Sequence, residues 1–421
     1  RLGTSATGGV GICFSVMAII QAVGFTFGQG SGNTVSRLLG RQDGEKARQV
    51  ASTGFFTAFG ISALLAVIGS FFVTPLVLVL GSTDTIAPYA ADYLKYLFLG
   101  MPFIASSFVL NNLLRYQGSA TYAMVGIMAG AFLNVGLDPL FIFTFGMGVG
   151  GAALATAISQ LVSFVILFVQ CTRGGNIKPS IKHFSWDIRL HLGILRSGFP
   201  TLLRQGLASI AAIMLNTSAA VFGDAAVAAM SIVTRVVMFS ISALLGFGQG
   251  FQPVCGFNYG AGCHDRVLKA FWFSIKSAAL VLLAISTMGF FLAPQIMGIF
   301  RKDDPAVMQI GILALRFQFL VLPLSSFTIL SMMMTQTIGK SVKASVLAFT
   351  RQGLFFVPFV VILPRLIGIL GIQISQPLSD LCAFILALVL TLPILRELKS
   401  SNRKDPISRP IPDPDRNQLE G

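Results

Sequence analysis

The chain has 421 residues, of which 54% are hydrophobic and only 11% are charged, and its formal net charge is +14. A soluble globular domain has about 25% charged residues, and an interior of ordinary size cannot bury so much apolar sequence. This composition excludes a soluble two- or three-domain protein. The apolar runs are continuous and exceed the ~20 residues of a membrane helix, whereas the strands of a membrane barrel alternate in short segments. The sequence therefore predicts an all-α polytopic membrane protein.

Eleven apolar segments are long enough to form transmembrane helices. After the last of them, the polar stretch from Lys399 to Gly421 contains four prolines and predicts a disordered tail. The predicted spans are 7–33, 49–80, 86–114, 120–145, 149–172, 198–222, 225–251, 267–298, 306–337, 343–369 and 371–396.

Basic residues between the spans fall almost entirely in one set of alternate loops, and the other set holds only Arg301, Lys302 and Arg365. Because cytoplasmic loops are enriched in Lys and Arg, this asymmetry predicts a cytoplasmic C-terminus. It also indicates that the excess positive charge interacts with the anionic inner face of the membrane rather than with nucleic acid. The expected organisation is an N-terminal lobe at 1–172, a cytoplasmic inter-lobe loop at 173–197, a C-terminal lobe at 198–398 and the tail at 399–421.

The sequence contains an internal repeat. The tetrapeptide FGQG occurs at Phe27–Gly30 and again, 220 residues later, at Phe247–Gly250. The same offset pairs Gly40 with Gly260, and an ordered series of such matches indicates duplicated halves. The counterpart of the span 198–222 would lie upstream of the first residue. We therefore expect one further helix there and a complete fold of six plus six spans arranged as parallel pseudo-repeats.

One acidic residue lies deep inside a predicted span: Asp138, in the segment NVGLDPLFIF. A carboxylate at that depth is costly unless it faces a polar cavity, which favours a functional role over simple packing. Asn134 lies one helical turn earlier on the same face, and Thr156 lies on the adjacent span. Pro139 removes the hydrogen bond to the carbonyl four residues back. A carboxylate, an amide and a hydroxyl together suit a sodium ion or a proton relay.

The second half also carries charges within its spans. Asp380 lies inside the last span and, like Asp138, could have a functional role or serve packing alone. Arg235 and Arg351 lie deeper than the other basic residues there, and either could pair with Asp380 or help to bind an anion. Gln352 follows Arg351 directly. We group these four residues as candidates for a substrate cleft or for a structural charge cluster.

Motifs of several other protein classes are missing. The three histidines lie in loops, and no H-E-x-x-H, G-x-S-x-G or Walker A motif occurs, which disfavours an intramembrane protease, an esterase or an ATP-driven pump. The five cysteines are far apart and none forms C-x-x-C, so they predict neither disulfides nor a metal site. The chain is therefore predicted not to be an enzyme and to use no cofactor, and an ion gradient would supply its energy.

Four segments of the sequence are distinctive: GQGSGNTVSRLLGRQDGEKA, NVGLDPLFIF, LNTSAAVFGDAAVAAMSIVTRV and FGQGFQPVCGFNYGA. Together they resemble the multidrug and toxic compound extrusion (MATE) transporters, in particular their bacterial multidrug-efflux branch. The resemblance covers essentially residues 1–400. It implies twelve helices in two six-helix lobes around a central cleft. It also implies export of cationic amphipathic compounds in exchange for sodium ions or protons.

The resemblance further implies a cation site in the N-terminal lobe. Asn134 and Asp138 match its fifth-helix members, Thr156 matches a sixth-helix hydroxyl, and Asn111 matches a fourth-helix amide. An Asp on the family's first helix would lie upstream of the first residue. Some relatives carry a second site with acids on the seventh and tenth helices. The corresponding spans of this chain contain no Asp or Glu, so all coupling is expected to occur in the N-terminal lobe.

The expected function is secondary active multidrug efflux by alternating access in the bacterial inner membrane. The protein is expected to be a monomer whose partners are small-molecule drugs or organic cations and membrane lipid. No nucleic-acid partner is expected. The only metal expected is a possible Na+ at the site around Asp138. Two alternatives stay open. A lipid-linked sugar flippase of the same superfamily would bind its anionic substrate with Arg204, Arg235 and Arg351. A non-transporting membrane scaffold or sensor would usually bring a partner domain or a long loop, which this sequence lacks.

Overall fold

The computed structural model describes residues 4–301 and 304–404, and eleven helical segments of this part are long and apolar enough to cross a membrane. The prediction of an all-helical protein with eleven spans is confirmed. The helices are α1 Thr4–Gly40, α2 Gly44–Phe71, α3 Val73–Val79, α4 Ala87–Tyr116, α5 Ala120–Pro139, α6 Gly148–Gln170, α7 Ile188–Ala220, α8 Asp224–Gly260, α9 His264–Phe291, α10 Ala293–Arg301, α11 Pro305–Val321, α12 Ser325–Thr337, α13 Ser341–Phe349, α14 Val357–Ile367 and α15 Ile369–Lys404. Short π-helical segments follow α5 at Leu140–Thr144 and join α13 to α14 at Thr350–Phe356.

Several helices extend beyond the predicted spans. α7 begins at Ile188, ten residues before the predicted start at 198, because the Asp187 side chain accepts a hydrogen bond from Arg189 N–H at 2.9 Å and caps the helix. α15 continues to Lys404, so the stretch 399–404 is helical rather than part of a disordered tail. Hydropathy alone missed both extensions because polar residues at the membrane surface continue a helix without an apolar signal. The rest of the predicted tail, 405–421, lies outside the described residues.

The helix order confirms the sequence repeat. α1 and α8 both have 37 residues and start 220 positions apart, and α2 and α9 both have 28 residues with the same offset. The turns after α4 and α12 use equivalent glycines, Gly118 and Gly339, with φ values of 91° and 87°. A side chain would be strained in that left-handed conformation. Each half therefore uses the same turn chemistry at the same place.

Aspartates define other helix starts at the membrane surface. Asp43 Oδ1 accepts the Lys46 backbone N–H at 3.2 Å at the start of α2, and this hydrogen bond lowers the pKa of the Asp43 carboxyl. Asp304 accepts the N–H groups of Ala306 and Val307 ahead of α11. These caps satisfy backbone donors that the first helical turn leaves free.

Buried apolar side chains form separate cores in the two halves of the described chain. Two clusters consist of residues between Ala6 and Ile194, and a third consists of residues between Ala211 and Leu398. We call α1–α6 the N-lobe and α7–α15 the C-lobe. Each lobe thus buries most of its own apolar faces, and Ile194 of α7 joins an N-lobe cluster across the interface.

The first inter-lobe contact is the crossing of α1 with α7. A Cβ on Gly198 would lie 2.0 Å from the Thr26 carbonyl oxygen, and a Cβ on Gly30 would lie 2.3 Å from the Ile194 carbonyl oxygen. Only glycine permits the two backbones to approach so closely. Small residues therefore determine how tightly the two lobes close here.

The second inter-lobe contact is the crossing of α1 with α8, which uses residues related by the repeat. A Cβ on Gly40 would lie 2.0 Å from the Phe257 carbonyl oxygen, and a Cβ on Gly260 would lie 2.0 Å from the Arg37 carbonyl oxygen. Gly40 and Gly260 are 220 positions apart, as are Arg37 and Phe257. The crossing is therefore pseudo-symmetric, with each lobe supplying the same glycine and carbonyl to the other.

Hydrogen bonds cross the interface at the same end of the molecule. Thr337 Oγ1 donates to Asn33 Oδ1 at 2.8 Å, and Ser36 Oγ donates to the Pro253 carbonyl at 3.0 Å. The Arg37 guanidinium donates to the Thr337 carbonyl. Asn33, Ser36 and Thr337 are fully buried. The lobes are therefore closed here, at the end that the charge distribution predicts to be cytoplasmic.

The last buried contact of α7 with the N-lobe lies at Thr201. Thr201 Oγ1 donates to Gln29 Oε1 across the interface at 2.8 Å. Beyond Thr201, α7 has no buried residue until Ala211. The buried inter-lobe contact of α7 therefore ends near the middle of this helix.

Candidate cation site and a second charge cluster

The structure brings together three of the predicted cation-site residues in the N-lobe. Asn134 Nδ2 donates to Asp138 Oδ1 at 3.2 Å and lies 3.5 Å from Thr156 Oγ1. Thr156 itself donates to the Ala152 carbonyl at 3.0 Å, one turn earlier on α6. All three side chains are partly exposed. The free lone pairs of Asp138 and Thr156 can therefore accept a proton or coordinate a cation.

The backbone around Asp138 is irregular. Asp138 and Pro139 end α5, and the chain continues as the π-helical segment Leu140–Thr144. Pro139 has no N–H to donate to the Val135 carbonyl, and Leu140 N–H donates only three residues back, to Leu137. π-Helical turns and proline breaks within spans occur where polar groups line a cavity. The proline therefore leaves the Val135 carbonyl oxygen without its usual helical donor, one turn before the Pro139 ring and close to the Asp138 carboxylate.

The site has members that sequence reasoning missed. Tyr93 on α4 lies near Thr156 and Asp138, and its hydroxyl donates to Met17 Sδ at 3.8 Å. A small cavity between α1, α4 and α6 reaches Thr156 and is lined by Gln21 and Gln160 among apolar side chains. Gln160 follows Thr156 by four positions on α6, and this spacing could have marked it. No sequence signal marks Tyr93 or Gln21, because only the rotation of α4 and α1 about their axes brings them to the site.

Asn111 lies elsewhere. Its Nδ2 donates to the Ala123 carbonyl on α5 at 3.0 Å, and the side chain is 9% exposed. Ala123 and Asn134 are eleven residues apart, about 16 Å along a helix. The structure therefore does not bring Asn111 to the cluster of Asn134, Asp138 and Thr156, and the amide joins α4 to α5 instead.

In the C-lobe, Asp380 on α15 is buried in a complete set of hydrogen bonds. Arg351 Nε donates to its Oδ1 at 2.6 Å, Gln376 Nε2 donates to Oδ1 at 2.9 Å, and Gln318 Nε2 donates to Oδ2 at 2.8 Å. The Asp380 side chain is 1% exposed, against 17% for Arg351. Asp380 is thus neutralised by an arginine, whereas no ion pair to Asp138 occurs among residues 4–301 and 304–404.

Neither of the other two candidates, Arg235 and Gln352, hydrogen-bonds to Asp380 within the described residues. Arg235 on α8 is exposed, and within the described chain its side chain has no hydrogen bond or ion pair. Gln352 Oε1 is buried without a partner among the described residues. Of the two predicted partners of Asp380, the structure therefore selects Arg351.

The two acids are not related by the repeat. At the offset of 221 that relates α5 to α13, the counterparts of Asn134 and Asp138 are Phe355 and Phe359. Conversely, Gly130 is the counterpart of Arg351, and it packs directly against Ser163. The lobes share a fold, but their polar chemistry has diverged.

Replacing Arg351 by Gln is expected to destabilise the protein by about 3–5 kcal/mol, because it leaves a buried carboxylate without its cation. The double variant Arg351→Gln, Asp380→Asn is expected to regain much of this loss, because neither charge then remains. Thermal unfolding in detergent, followed by tryptophan fluorescence, measures both effects, and Arg235→Gln is the exposed control. Equal losses in the single and double variants would contradict the charge argument.

The donor types at Asp138 narrow the choice of cation. No group of three or more His, Cys, Asp or Glu side chains able to hold a metal occurs within 4–301 and 304–404. One carboxylate, one amide and one hydroxyl are oxygen donors, which suit a hard monovalent cation or a proton rather than a transition metal. The five cysteines are all free, and three of them are buried.

Comparisons with known proteins agree with this architecture. The MatE family model matches residues 1–140 and 200–362. The chain is 28% identical over 393 residues to the multidrug export protein MepA of Staphylococcus aureus, covering 92% of this chain and 85% of that protein. It is 27% identical over 378 residues to MepA of Staphylococcus haemolyticus, covering 89% and 83%.

Solved structures show the same likeness. A crystal structure of MATE in complex with MaL6 matches with a TM-score of 0.89 at 28% identity, covering 95% of this chain and 90% of that chain. An outward-facing multidrug resistance MATE family transporter of the MOP superfamily matches with a TM-score of 0.88 at 28% identity, covering 94% and 90%. The duplicated helices, these structural matches and a family match over more than half of the chain show that this protein belongs to the MATE family of multidrug efflux transporters.

Proposed function

We propose that the protein is a secondary active antiporter that exports cationic amphipathic compounds across the bacterial inner membrane in exchange for H+ or Na+. The observation that carries this proposal is the contrast between two intramembrane acids. Asp380 is neutralised by Arg351, whereas Asp138 accepts a hydrogen bond from Asn134 and has no ion pair among the described residues. An intramembrane carboxylate without a cationic partner is costly and marks an ion pathway. Asp138 is therefore the coupling residue in this proposal, without any further cofactor.

Coupling requires that the ion favours one state of the inter-lobe cleft over the other. A ligand that binds both states equally shifts nothing, and a complete switch from 1:99 to 99:1 takes about 5.5 kcal/mol of differential affinity. A monovalent cation beside a partly desolvated carboxylate supplies energies of this order, because Coulomb interactions strengthen away from bulk water. Binding at Asp138 would thus bias the cleft and displace the drug.

The closed inter-lobe contacts support an assignment of the conformation. The crossing at Gly40 and Gly260 lies at the end where the loops are rich in Arg and Lys, which the charge distribution predicts to be cytoplasmic. With this orientation and a cytoplasmic C-terminus, the structure corresponds to a state open to the outside of the cell. The similarity to an outward-facing MATE transporter agrees with this assignment.

Transport by the reconstituted protein tests the proposal. Proteoliposomes are loaded with ethidium, and a proton gradient or a sodium gradient is imposed separately. We expect one of the two gradients to drive dye movement well above that of protein-free liposomes, which identifies the coupling ion. Dye movement that is equal with and without protein under both gradients would contradict antiport.

A lipid-linked sugar flippase is the second candidate, because an arginine without an acidic partner, Arg204, lies in the C-lobe. A protein of this function would translocate a fluorescent polyprenyl phosphate and leave ethidium in place. No described feature favours a scaffold or sensor, and we propose that the transporter acts as a monomer.

A further inference from the structure

The C-lobe contains more positive than negative charge inside its spans. Arg204 on α7 lies within electrostatic range of Arg351, and α7 packs against the π-helical segment Thr350–Phe356 that carries Arg351. The one carboxylate nearby, Asp380, already accepts hydrogen bonds from Arg351 and two glutamines. Among the described residues no carboxylate therefore compensates the charge of Arg204, and the positive charge of Arg351 adds repulsion.

Other arginines in the spans have an evident partner or an exposed position. The Arg316 guanidinium lies 5.4 Å from the centre of the Phe290 ring, a favourable cation–π contact. Arg235 is exposed. Arg204 is only partly exposed, its Nε is buried without a hydrogen-bond acceptor, and it has neither a ring nor a carboxylate within the described residues. An unpaired guanidinium at such a position is costly and usually faces a site where an anion or water binds.

Arg204 lies on α7, six residues after the predicted start of the membrane span at 198, which is about 9 Å along the helix and inside the predicted cytoplasmic half of the membrane. It follows Thr201 by three positions and lies on the same side of the helix. Thr201 contacts Gln29 of the N-lobe, and the buried contact of α7 with that lobe ends there. Arg204 therefore follows, by about one helical turn, the last residue of α7 that is buried against the N-lobe.

Unused hydrogen-bonding atoms accompany Arg204. Gln205 Nε2 on the same helix is buried without a partner in the described structure, as is Arg204 Nε itself. Both of these nitrogen atoms can donate a hydrogen bond, and neither can accept one. Arginine presents a planar fork of donors that matches the two oxygens of a carboxylate or phosphate. The donors that remain free are thus the kind that an oxyanion would satisfy.

We propose that Arg204, with Gln205 beside it, forms an anion subsite at the C-lobe wall of the cleft that binds the carboxylate or phosphate of an amphipathic substrate. The inference rests on the proposed export function and extends it. The cleft would take zwitterionic amphiphiles as well as simple cations, with the anionic group of a zwitterion bound at Arg204. A lipid phosphate has the same chemistry and is the second source of such a group.

Two dyes with the same ring system test this subsite. Rhodamine 123 is the methyl ester of rhodamine 110, so only rhodamine 110 carries a free carboxylate. Binding of each dye to the purified full-length chain is measured by fluorescence anisotropy for wild type and Arg204→Gln. We expect Arg204→Gln to weaken rhodamine 110 binding by about tenfold or more, because a charge-assisted hydrogen bond is lost. Rhodamine 123 binding should stay within about twofold of wild type, as expected of a change remote from its contacts.

Matched variants distinguish the loss of a specific anion contact from a general effect of removing an arginine on dye binding. Arg204→Lys keeps the charge and should restore part of the rhodamine 110 affinity, and Arg235→Gln removes an exposed arginine and should change neither dye. The same titrations in nanodiscs with and without phosphatidylglycerol distinguish the two sources of the anion. Competition by this lipid that disappears in Arg204→Gln would assign the subsite to a lipid phosphate.

The other outcomes overturn the proposal in distinguishable ways. Equal rhodamine 110 affinity in wild type and Arg204→Gln, or equal weakening of both dyes, would exclude an anion subsite and leave cation export untouched. Failure of both dyes to bind the wild-type protein would contradict the subsite and weaken the proposed export function together.

Discussion

Asp138→Asn is expected to reduce gradient-driven ethidium movement to the level of protein-free liposomes. Asparagine has nearly the shape of aspartate and keeps the hydrogen bond with Asn134 possible, but it carries no charge and takes up no proton. Without the carboxylate, the coupling ion no longer binds one conformation of the transporter more tightly than the other. An ion gradient then cannot shift the populations of the two conformations. Ethidium binding without a gradient is expected to change by only about twofold, because the drug-facing cleft is intact.

Two further variants sharpen this experiment. Asp84→Asn makes the same chemical change at an exposed loop position before α4 and should transport like wild type. Asp138→Glu keeps the charge and should retain measurable transport. Rapid, gradient-driven ethidium movement by Asp138→Asn would show that another group couples the ion, and the role proposed for the N-lobe cluster would be wrong.

Gly260→Val is expected to open the closed end of the molecule. A Cβ at Gly260 would lie 2.0 Å from the Arg37 carbonyl oxygen, and a backbone atom cannot rotate away from it as a side chain can. The state with α1 and α8 in contact is thereby disfavoured, and the population shifts toward states in which the lobes are apart. Transport should fall as well, because alternating access needs both states.

A native cysteine reports on this opening. Cys255 on α8 is fully buried near Arg37 at the closed end. We expect Gly260→Val to raise its rate of maleimide labelling by at least about tenfold, the effect of about 1.4 kcal/mol on a two-state equilibrium. Labelling sites are assigned by peptide mass spectrometry. Buried Cys171 in the N-lobe should stay unlabelled, which distinguishes opening of the interface from global unfolding.

The matched control is Gly250→Val, on the same helix. A Cβ at Gly250 meets no atom within 4 Å, so this variant introduces the same residue without a clash. Its labelling and transport should resemble those of wild type. If Gly260→Val left Cys255 as protected as in wild type, the crossing would not control access at this end, and the assigned conformational role of the glycines would fail.

Local pattern was enough to predict a large part of this protein. Continuous apolar runs predicted the eleven spans, because a helix that must cross a bilayer needs about 20 apolar residues whatever its neighbours are. The offset of 220 residues predicted duplicated halves, and α1 with α8 and α2 with α9 match in length. The pairing of Asn134 with Asp138 was also predictable, since residues four apart on one helix necessarily lie together.

Other features were decided by tertiary structure, because the rotation and depth of one helix against another depend on packing that no single segment encodes. The contact of Thr156 with Asn134 and the approach of Tyr93 to Asp138 both depend on how α4 and α6 turn toward α5. The same applies to Asn111, which has the residue type expected of a cation site but lies about 16 Å along α5 from Asn134. Residue type alone could not separate a site amide from one that joins two helices.

The charges of the C-lobe show the same division. Sequence alone left Arg235 and Arg351 equally eligible to neutralise Asp380, and the π-helical segment Thr350–Phe356 selects Arg351 by setting where its side chain points. That choice leaves Asp138 without a cationic partner and Arg204 without an acidic one among the described residues. The sequence by itself determined the spans, the repeat and the presence of charges within the membrane. Only the folded arrangement decided which charges cancel and which remain free to bind, because a net intramembrane charge is a property of neighbours in space rather than along the chain.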